Sequence, residues 1–314
     1  MQKIKIGVST CLLGQNVRYD GGHKLDNFIV NTLARYFEFV PVCPEVECGL
    51  GVPREAMRLV GDPQSPRLLT IKTRVDHTGR MTGWAEKRLR ELEREDLSGF
   101  IFKSRSPSSG MERVKVYNDK GYAVKAGVGI FARMFMEHFP YLPVEEEGRL
   151  SDPKLRETFI ENVFILKEWR EAVAAGKIAA LIKFHERMKY SFMARSPALL
   201  GAMGKLLAGH KKGSFNPIRD AYYELLAKML KTQSAARLSL NVLQHLAGYF
   251  KEQLTSAEKE EFAGILNHYR AGDIPLIVPV TLINHYARKY ASAYLLGQYY
   301  LNPHPLELKL RNHA

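Results

Sequence analysis

The stretch KIKIGVSTCLLG, residues 3–14, alternates polar and apolar side chains for the length of one strand and then breaks into a glycine-ended turn that carries a cysteine. Two further stretches repeat this plan. DNFIVNTLARYF has helical spacing and leads into FEFVPVC, an apolar strand that ends on Cys43. TGWAEKRLRELERED places acids and bases three and four residues apart, as a helix does, and leads into the strand GFIFK. Strand–helix alternation predicts a compact parallel or mixed sheet with flanking helices. Sites in open α/β sheets form outside the carboxyl ends of strands, so the loops after IGVS, VPV and GFIFK are expected to converge on one crevice.

At YLPVEEEGRLSDP, residues 141–153, proline, glycine and an acidic cluster predict a boundary, with an α/β domain over 1–148 and an all-α domain over 149–314. Beyond it FIENVFILKEWREAV, AALIKFHERMKYSFMA, DAYYELLAKMLK, NVLQHLAGYFKEQL, AEKEEFAGILNHYRA and TLINHYARKYASAYLLGQYY all carry apolar residues at i, i+3, i+4 and i+7. The opening residues lack the pattern of a secretory signal, and no apolar run reaches the roughly 18–20 residues a membrane span needs, so a soluble, cytoplasmic protein without a membrane partner is expected. Three cysteines in 314 residues argue against a disulfide scaffold. The formal net charge is +13, and residues 181–240 alone carry 11 basic and 3 acidic side chains, which suits a polyanionic partner as well as an unspecific solvated surface.

The sulfur-bearing loops hold the chemistry. Cys11 lies in STCLLGQNVRYDGGHK, and Cys43 and Cys48 lie in CPEVECGLGVPRE; a third loop, FKSRSPSSGM, follows GFIFK. By spacing alone these match no common zinc pattern, although zinc completed by His23 stays open, as do cysteines that merely pack as small apolar residues. Glu45 in its proline-rich turn is either a proton-handling acid or a cap, and S-P-S is either a site or only a turn. The short glycine turns GDP at 61–63 and GVG at 127–129 have no phosphate-loop pattern and are assigned no site.

In combination, C-L-L-G with R-Y-D-G, then V-C-P-E with G-L and P-R, then K-S-R-S-P-S-x-G and a later G-V-G resemble the thiouracil desulfidase family over about residues 3–140. The helical remainder resembles the YbgA-like domain, and the fusion is the arrangement of desulfidases that convert 4-thiouridine in tRNA to uridine. The resemblance implies a [4Fe–4S] cluster on three cysteine thiolates with one iron open to the substrate's sulfur. Cys11 and Cys43 match two of the ligands. The family's third lies where this chain has Ser109, and Cys48 stands where relatives usually have glycine, so Cys48 is expected as the replacement, with Ser109 or water as the alternative. Glu45 and Ser106 match the family's acid and serine, and Lys103 is placed to stabilise charge on the ring. Arg18, Asp20 and Lys24, with Ser108 and Ser109, are expected to hold the substrate or to close turns beside it.

For the helical half the expected partner is tRNA containing 4-thiouridine. Arg187, Lys189, Arg195, Lys211, Lys212 and Arg219 are the candidate phosphate contacts among interleaved aromatics, and no obligate protein partner is implied. Two other functions compete with the tRNA desulfidase: a desulfidase for free thiouracil or thionucleosides, and a non-catalytic iron–sulfur protein that binds RNA or senses redox state. A sensor has no use for Glu45 and Ser106.

Overall fold

The computed structural model describes residues 3–209, 215–305, 308 and 310–312. The chain divides into two compact units, Met1–Phe159 and Ile160–Ala314. Among the described residues the first unit contains the strands β1 (Ile4–Ser9), β2 (Phe37–Val42), β3 (Met57–Val60), β4 (Arg67–Thr70), β5 (Phe100–Phe102), β6 (Val114–Tyr117), β7 (Ala123–Gly127) and β8 (Val144–Glu146). They form two sheets rather than one. The first has the order β2-β1-β5-β8 and is wholly parallel; the second has the order β4-β3-β6-β7, with a parallel centre and antiparallel edges.

β1 is central because Ile4, Ile6 and Val8 are buried, and it pairs along its full length with β2 from Ile4↔Phe37 to Ser9↔Val42. Gly7 faces Val40 on one side and Phe100 on the other. A Cβ there would lie 2.1 Å from Phe100 Cδ2, so only glycine lets the ring settle over the strand. From that position Phe100 packs on Phe102 and Phe135 at centroid distances of 4.4 and 4.6 Å. Burying each such ring contributes roughly 1.5–3 kcal/mol.

The flanking helices are α1 (Pro44–Glu47), a single turn; α2 (Thr78–Glu93); and α3 (Ile130–His138). Ala85, Leu89 and Leu92 of α2 and Phe131 and Phe135 of α3 close the aromatic core. DNFIVNTLARYF winds as the sequence predicts, but as a wide π-type turn over Phe28–Thr32 followed by a tight turn over Leu33–Arg35. In the second sheet Leu59, Val114 and Val116 face Met81 and Ile130, while the alternating Arg58, Lys115 and Tyr117 take the other face. The acidic stretch read as a boundary contributes β8: Val144–Glu146 extends the first sheet beside β5, with Phe102 opposite Glu146.

Past the first unit the described chain is helical: α4 (Pro153–Ala174), α5 (Ile178–Met193), α6 (Pro197–Ala208), α7 (Phe215–Leu230), α8 (Ala236–Ala247), α9 (Ser256–Ala271), α10 (Ile277–Lys289) and the short α11 (Ala293–Leu296). The division between units falls within α4. No helix among the described residues is long and apolar enough to cross a membrane. Leu243, Leu246, Phe250, Phe262, Ile283 and Tyr286 centre its core, and α9 begins with a Thr255–Glu258 capping box and ends on left-handed Gly272. At the other end Trp169 stacks on Tyr222 with centroids 5.3 Å apart.

One ionic cluster lies inside this unit. Glu161 accepts from Arg195 Nη2 at 2.7 Å and from Arg311 Nη2 at 3.5 Å, and Arg195 Nη1 donates to Asn162 Oδ1 at 2.6 Å. Burial works to raise the Glu161 pKa, but the two guanidiniums outweigh it and hold the carboxyl below its ordinary value. Removing the charge strands two buried cations, so Glu161→Gln is expected to lower the unfolding free energy by about 3–5 kcal/mol. Because the folded pKa is depressed, the wild-type contribution is present above the unfolded pKa and is lost as pH falls through the folded one. Thermal unfolding of both proteins between neutral and strongly acidic pH checks this, with the gap expected to close in acid.

Candidate active site

Parallel pairing of β1 with β2 and β5 brings three strand ends to one edge, followed by Cys11, Cys43 and Lys103. The edge is stitched across: Lys103 N donates to Ser9 Oγ at 2.9 Å. Together the loops enclose a cavity of about 450 Å³ lined by Cys11, Cys43, Glu45, Lys103, Ser106 and Ser109, with Arg18, Lys24, Arg54 and Arg105 adding positive charge. Met57, Ile71 and Tyr19 supply apolar wall.

Cys43 caps α1, Pro44 occupies its first position, and Glu47 turns back to accept from Cys43 N at 2.7 Å. This short turn presents Glu45 to the cavity. Glu45 Oε1 accepts from Ser108 Oγ at 2.5 Å, and Oε2 lies 3.7 Å from Cys43 Sγ and 3.9 Å from Arg54 Nη2. Ser108 Oγ is 2.9 Å from Ser106 Oγ and 3.4 Å from Ser109 Oγ, and Ser106 Oγ also accepts from the backbone N–H of Ser108 and Ser109. A carboxylate, a thiol and three hydroxyls thus form one continuous hydrogen-bonded chain.

The serine loop is fixed from behind by a segment to which the sequence reading gave no role. Gly129 N donates to Gly110 O at 2.8 Å, Ile130 N to Pro107 O at 3.1 Å and Ala132 N to Ser108 O at 3.0 Å. A Cβ on Gly129 would meet Ser108 C and O at 2.5 Å, so G-V-G is where α3 packs its first turn on the site. Glu147 was also missed. Its carboxylate takes Lys103 Nζ and accepts from Ser104 N and Ser104 Oγ, each at 2.7 Å. Lys103 therefore reaches the cavity as half of an ion pair. Arg54, the arginine of the P-R motif, donates to Val17 O at 3.0 Å and joins the first two loops.

Burial pushes the thiols up, Cys11 to about 11 against the pull of Lys103, and Cys43 to about 12 with Glu45 adding to the effect. Burial also raises Cys48, whose Sγ donates to Glu45 O at 3.3 Å. Cys48 caps the far end of α1 and packs against the core cluster of the second sheet; unlike Cys11, Cys43 and Ser109 it does not line the cavity. Among the described residues no three His, Cys, Asp or Glu side chains already converge on a metal position. His23 is exposed, accepts from Leu25 N at 3.1 Å and lies off the cavity. Arg18 and Lys24 line the rim, and Asp20 holds Arg18 at 3.4 Å.

In the helical unit the basic candidates separate. Arg195 is 4% exposed and spent on Glu161 and Asn162, so the expectation of an RNA contact there is corrected: it is an internal counter-ion. Arg187 pairs with Glu168, and Arg219 with Asp220. Lys189 lies over the Tyr190 ring at 5.3 Å. Lys211 and Lys212 lie outside the described residues.

Residues 6–147 match the family described as 2-thiouracil desulfurase, and residues 189–305 match a protein family of unknown function, DUF1722. A solved structure of the [4Fe–4S]-dependent thiouracil desulfidase TudS is 31% identical, with 48% of this chain and 95% of that chain covered and a TM-score of 0.40. The uncharacterized protein YbgA of Escherichia coli strain K12 is 31% identical over 153 residues, which cover 48% of this chain and 90% of YbgA. By that identity and coverage the chain belongs to the YbgA family, with a segment ahead of residue 150 that matches the 2-thiouracil desulfurases.

Proposed function

We propose that this protein is a desulfidase that replaces the sulfur of 4-thiouridine in tRNA by oxygen and releases sulfide. The observation that carries the reading is Glu45, set between the Cys43 thiol and the Ser108 hydroxyl on the wall of a cavity lined by cations. Two thiols on such a wall fit a soft, anionic, thiolate-ligated group. Cys11 and Cys43, which line the cavity, would hold a [4Fe–4S] cluster, and the third position would fall to Cys48 on turning from the end of α1, or else to Ser109, which already lines the cavity. When bound, the cluster supplies an open iron with affinity for a thiocarbonyl sulfur.

The chain's own residues handle water and protons. Glu45 takes a proton from the water that adds to C4 of the pyrimidine, and Ser108 and Ser106 pass it along their hydroxyls toward the leaving sulfur. One C=S and one water become one C=O and one H₂S, without net oxidation. Arg54, 3.9 Å from Glu45 Oε2, holds the carboxylate toward the cavity. Ser106 and Ser109 orient the pyrimidine edge, while Met57, Ile71 and Tyr19 give its faces an apolar lining. The excess of basic residues over 181–240 supports a folded polyanion as the carrier of the base.

Anaerobically reconstituted protein is expected to abolish the near-ultraviolet absorbance of 4-thiouridine in thiolated tRNA with release of sulfide. Turnover of free thiouracil alone points instead to the free-base desulfidase. Glu45→Gln is expected to lower kcat by about 10²–10⁴-fold while leaving iron content and RNA affinity intact; a non-catalytic sensor shows no turnover to lose. Iron and sulfide per chain are expected to collapse in Cys48→Ser. Full occupancy in that variant transfers the third position to Ser109, and Ser109→Cys then gives a more stable cluster than wild type.

A further inference from the structure

A second cavity of about 860 Å³ adjoins the first, sharing Met57, Ile71 and the segment from Lys103 to Arg105 with it. Its floor is the outer face of β3, β6 and β7, and its cations far outnumber its acids. Both acids are occupied: Glu112 pairs with Arg149 at 2.6 Å, and Glu146 accepts from Met111 N at 2.7 Å.

Three observations set Arg58, Arg105, Arg113, Lys115 and Lys125 apart from cations that serve the fold, as Lys103 and Arg149 do through Glu147 and Glu112. Lys115 and Lys125 stand directly opposite each other on neighbouring antiparallel strands, an arrangement that weakens a sheet. Arg58 lies over the Tyr117 ring at 4.7 Å with its buried Nε lacking a hydrogen-bond partner. Arg105 and Arg113 bracket the serine loop with φ of 60° and 53°, left-handed positions where glycine is cheaper than any side chain. Like-charge opposition and an unsatisfied guanidinium nitrogen meet beside two left-handed arginines in one cleft, and one kind of ligand answers both: a chain of negative charges.

We propose that this cleft on the α/β unit holds the phosphodiester strand flanking the thiolated base, so that the unit with the reactive cavity grips the nucleic acid itself. The inference rests on the polynucleotide reading above. A single base with its ribose suits the smaller cavity, and the larger one adjoins it along Met57, Ile71 and the segment from Lys103 to Arg105, where a flanking strand can continue.

The test is equilibrium binding of the full-length protein to a pentaribonucleotide with a central 4-thiouridine, measured against salt, and in parallel to 4-thiouridine 5′-monophosphate. The Lys115→Gln/Lys125→Gln variant is expected to bind the pentanucleotide more weakly, and its log K against log salt slope should be shallower by about 0.7 for each phosphate that the lysines no longer neutralise. Its thermal midpoint should not fall, because the opposed charges are gone. Lys87→Gln on α2 is the charge control. A variant slope and affinity equal to wild type overturn the proposal. So does an equal loss for the monophosphate, which makes the cleft a mononucleotide site. Wild-type protein that leaves thiolated tRNA unreacted rejects the tRNA desulfidase reading, and the two slopes still decide the cleft.

Discussion

The functional half of the molecule depends on the pairing of one small residue. Gly7 lies in the middle of β1 with parallel neighbours on both sides, and the missing side chain is what allows the Phe100 ring to cover the strand. That ring ties β5 to α3 through Phe135. The register on both flanks then sets where the strands stop, and the three loops that form the cavity start at those stops. Sulfur, carboxylate and hydroxyl groups come from sequence positions about 100 residues apart, yet they meet because two parallel pairings leave their loops no other edge.

The acidic run at 145–147 shows the same economy. Three consecutive glutamates would repel one another on a solvated linker, but β8 turns them to different partners. Glu145 holds Arg149, Glu146 receives the backbone of Met111, and Glu147 receives Lys103 and Ser104. The last strand of the first sheet thereby fixes the loop that follows β5 from both of its ends. Lys103 is left neutralised at the cavity by Glu147, just as Arg18 is paired with Asp20 and Arg54 with Glu45.

What could be read from residues alone follows from periodicity. The apolar strands IKIGVS, FEFVPV and GFIF and the helical spacing beyond residue 153 gave the parallel sheet and the helical unit. The second sheet stayed hidden because MRLV, RLLT, VKVY and AVKAG are short and carry basic residues on the face turned from the core, which reads as loop. β8 hid behind its acids for a similar reason: composition reports charge, and only the structure reports the partner. Motif matching placed Cys11, Cys43, Glu45 and Ser106 on one cavity wall, whereas Cys48 sits at the far end of α1. Arg195 was misjudged because a basic residue in a basic segment looks solvated until Glu161, more than thirty residues away, is seen beside it.

The contact between Gly129 and Ser108 has a consequence for how the serine hydroxyls meet a ligand. Three backbone hydrogen bonds from the first turn of α3 lock Pro107, Ser108 and Gly110 onto a helix whose own aromatic side chains are buried. The loop has already surrendered its conformational freedom during folding. Its hydroxyls are preorganised, and a ligand that docks against them spends none of its binding energy on ordering them.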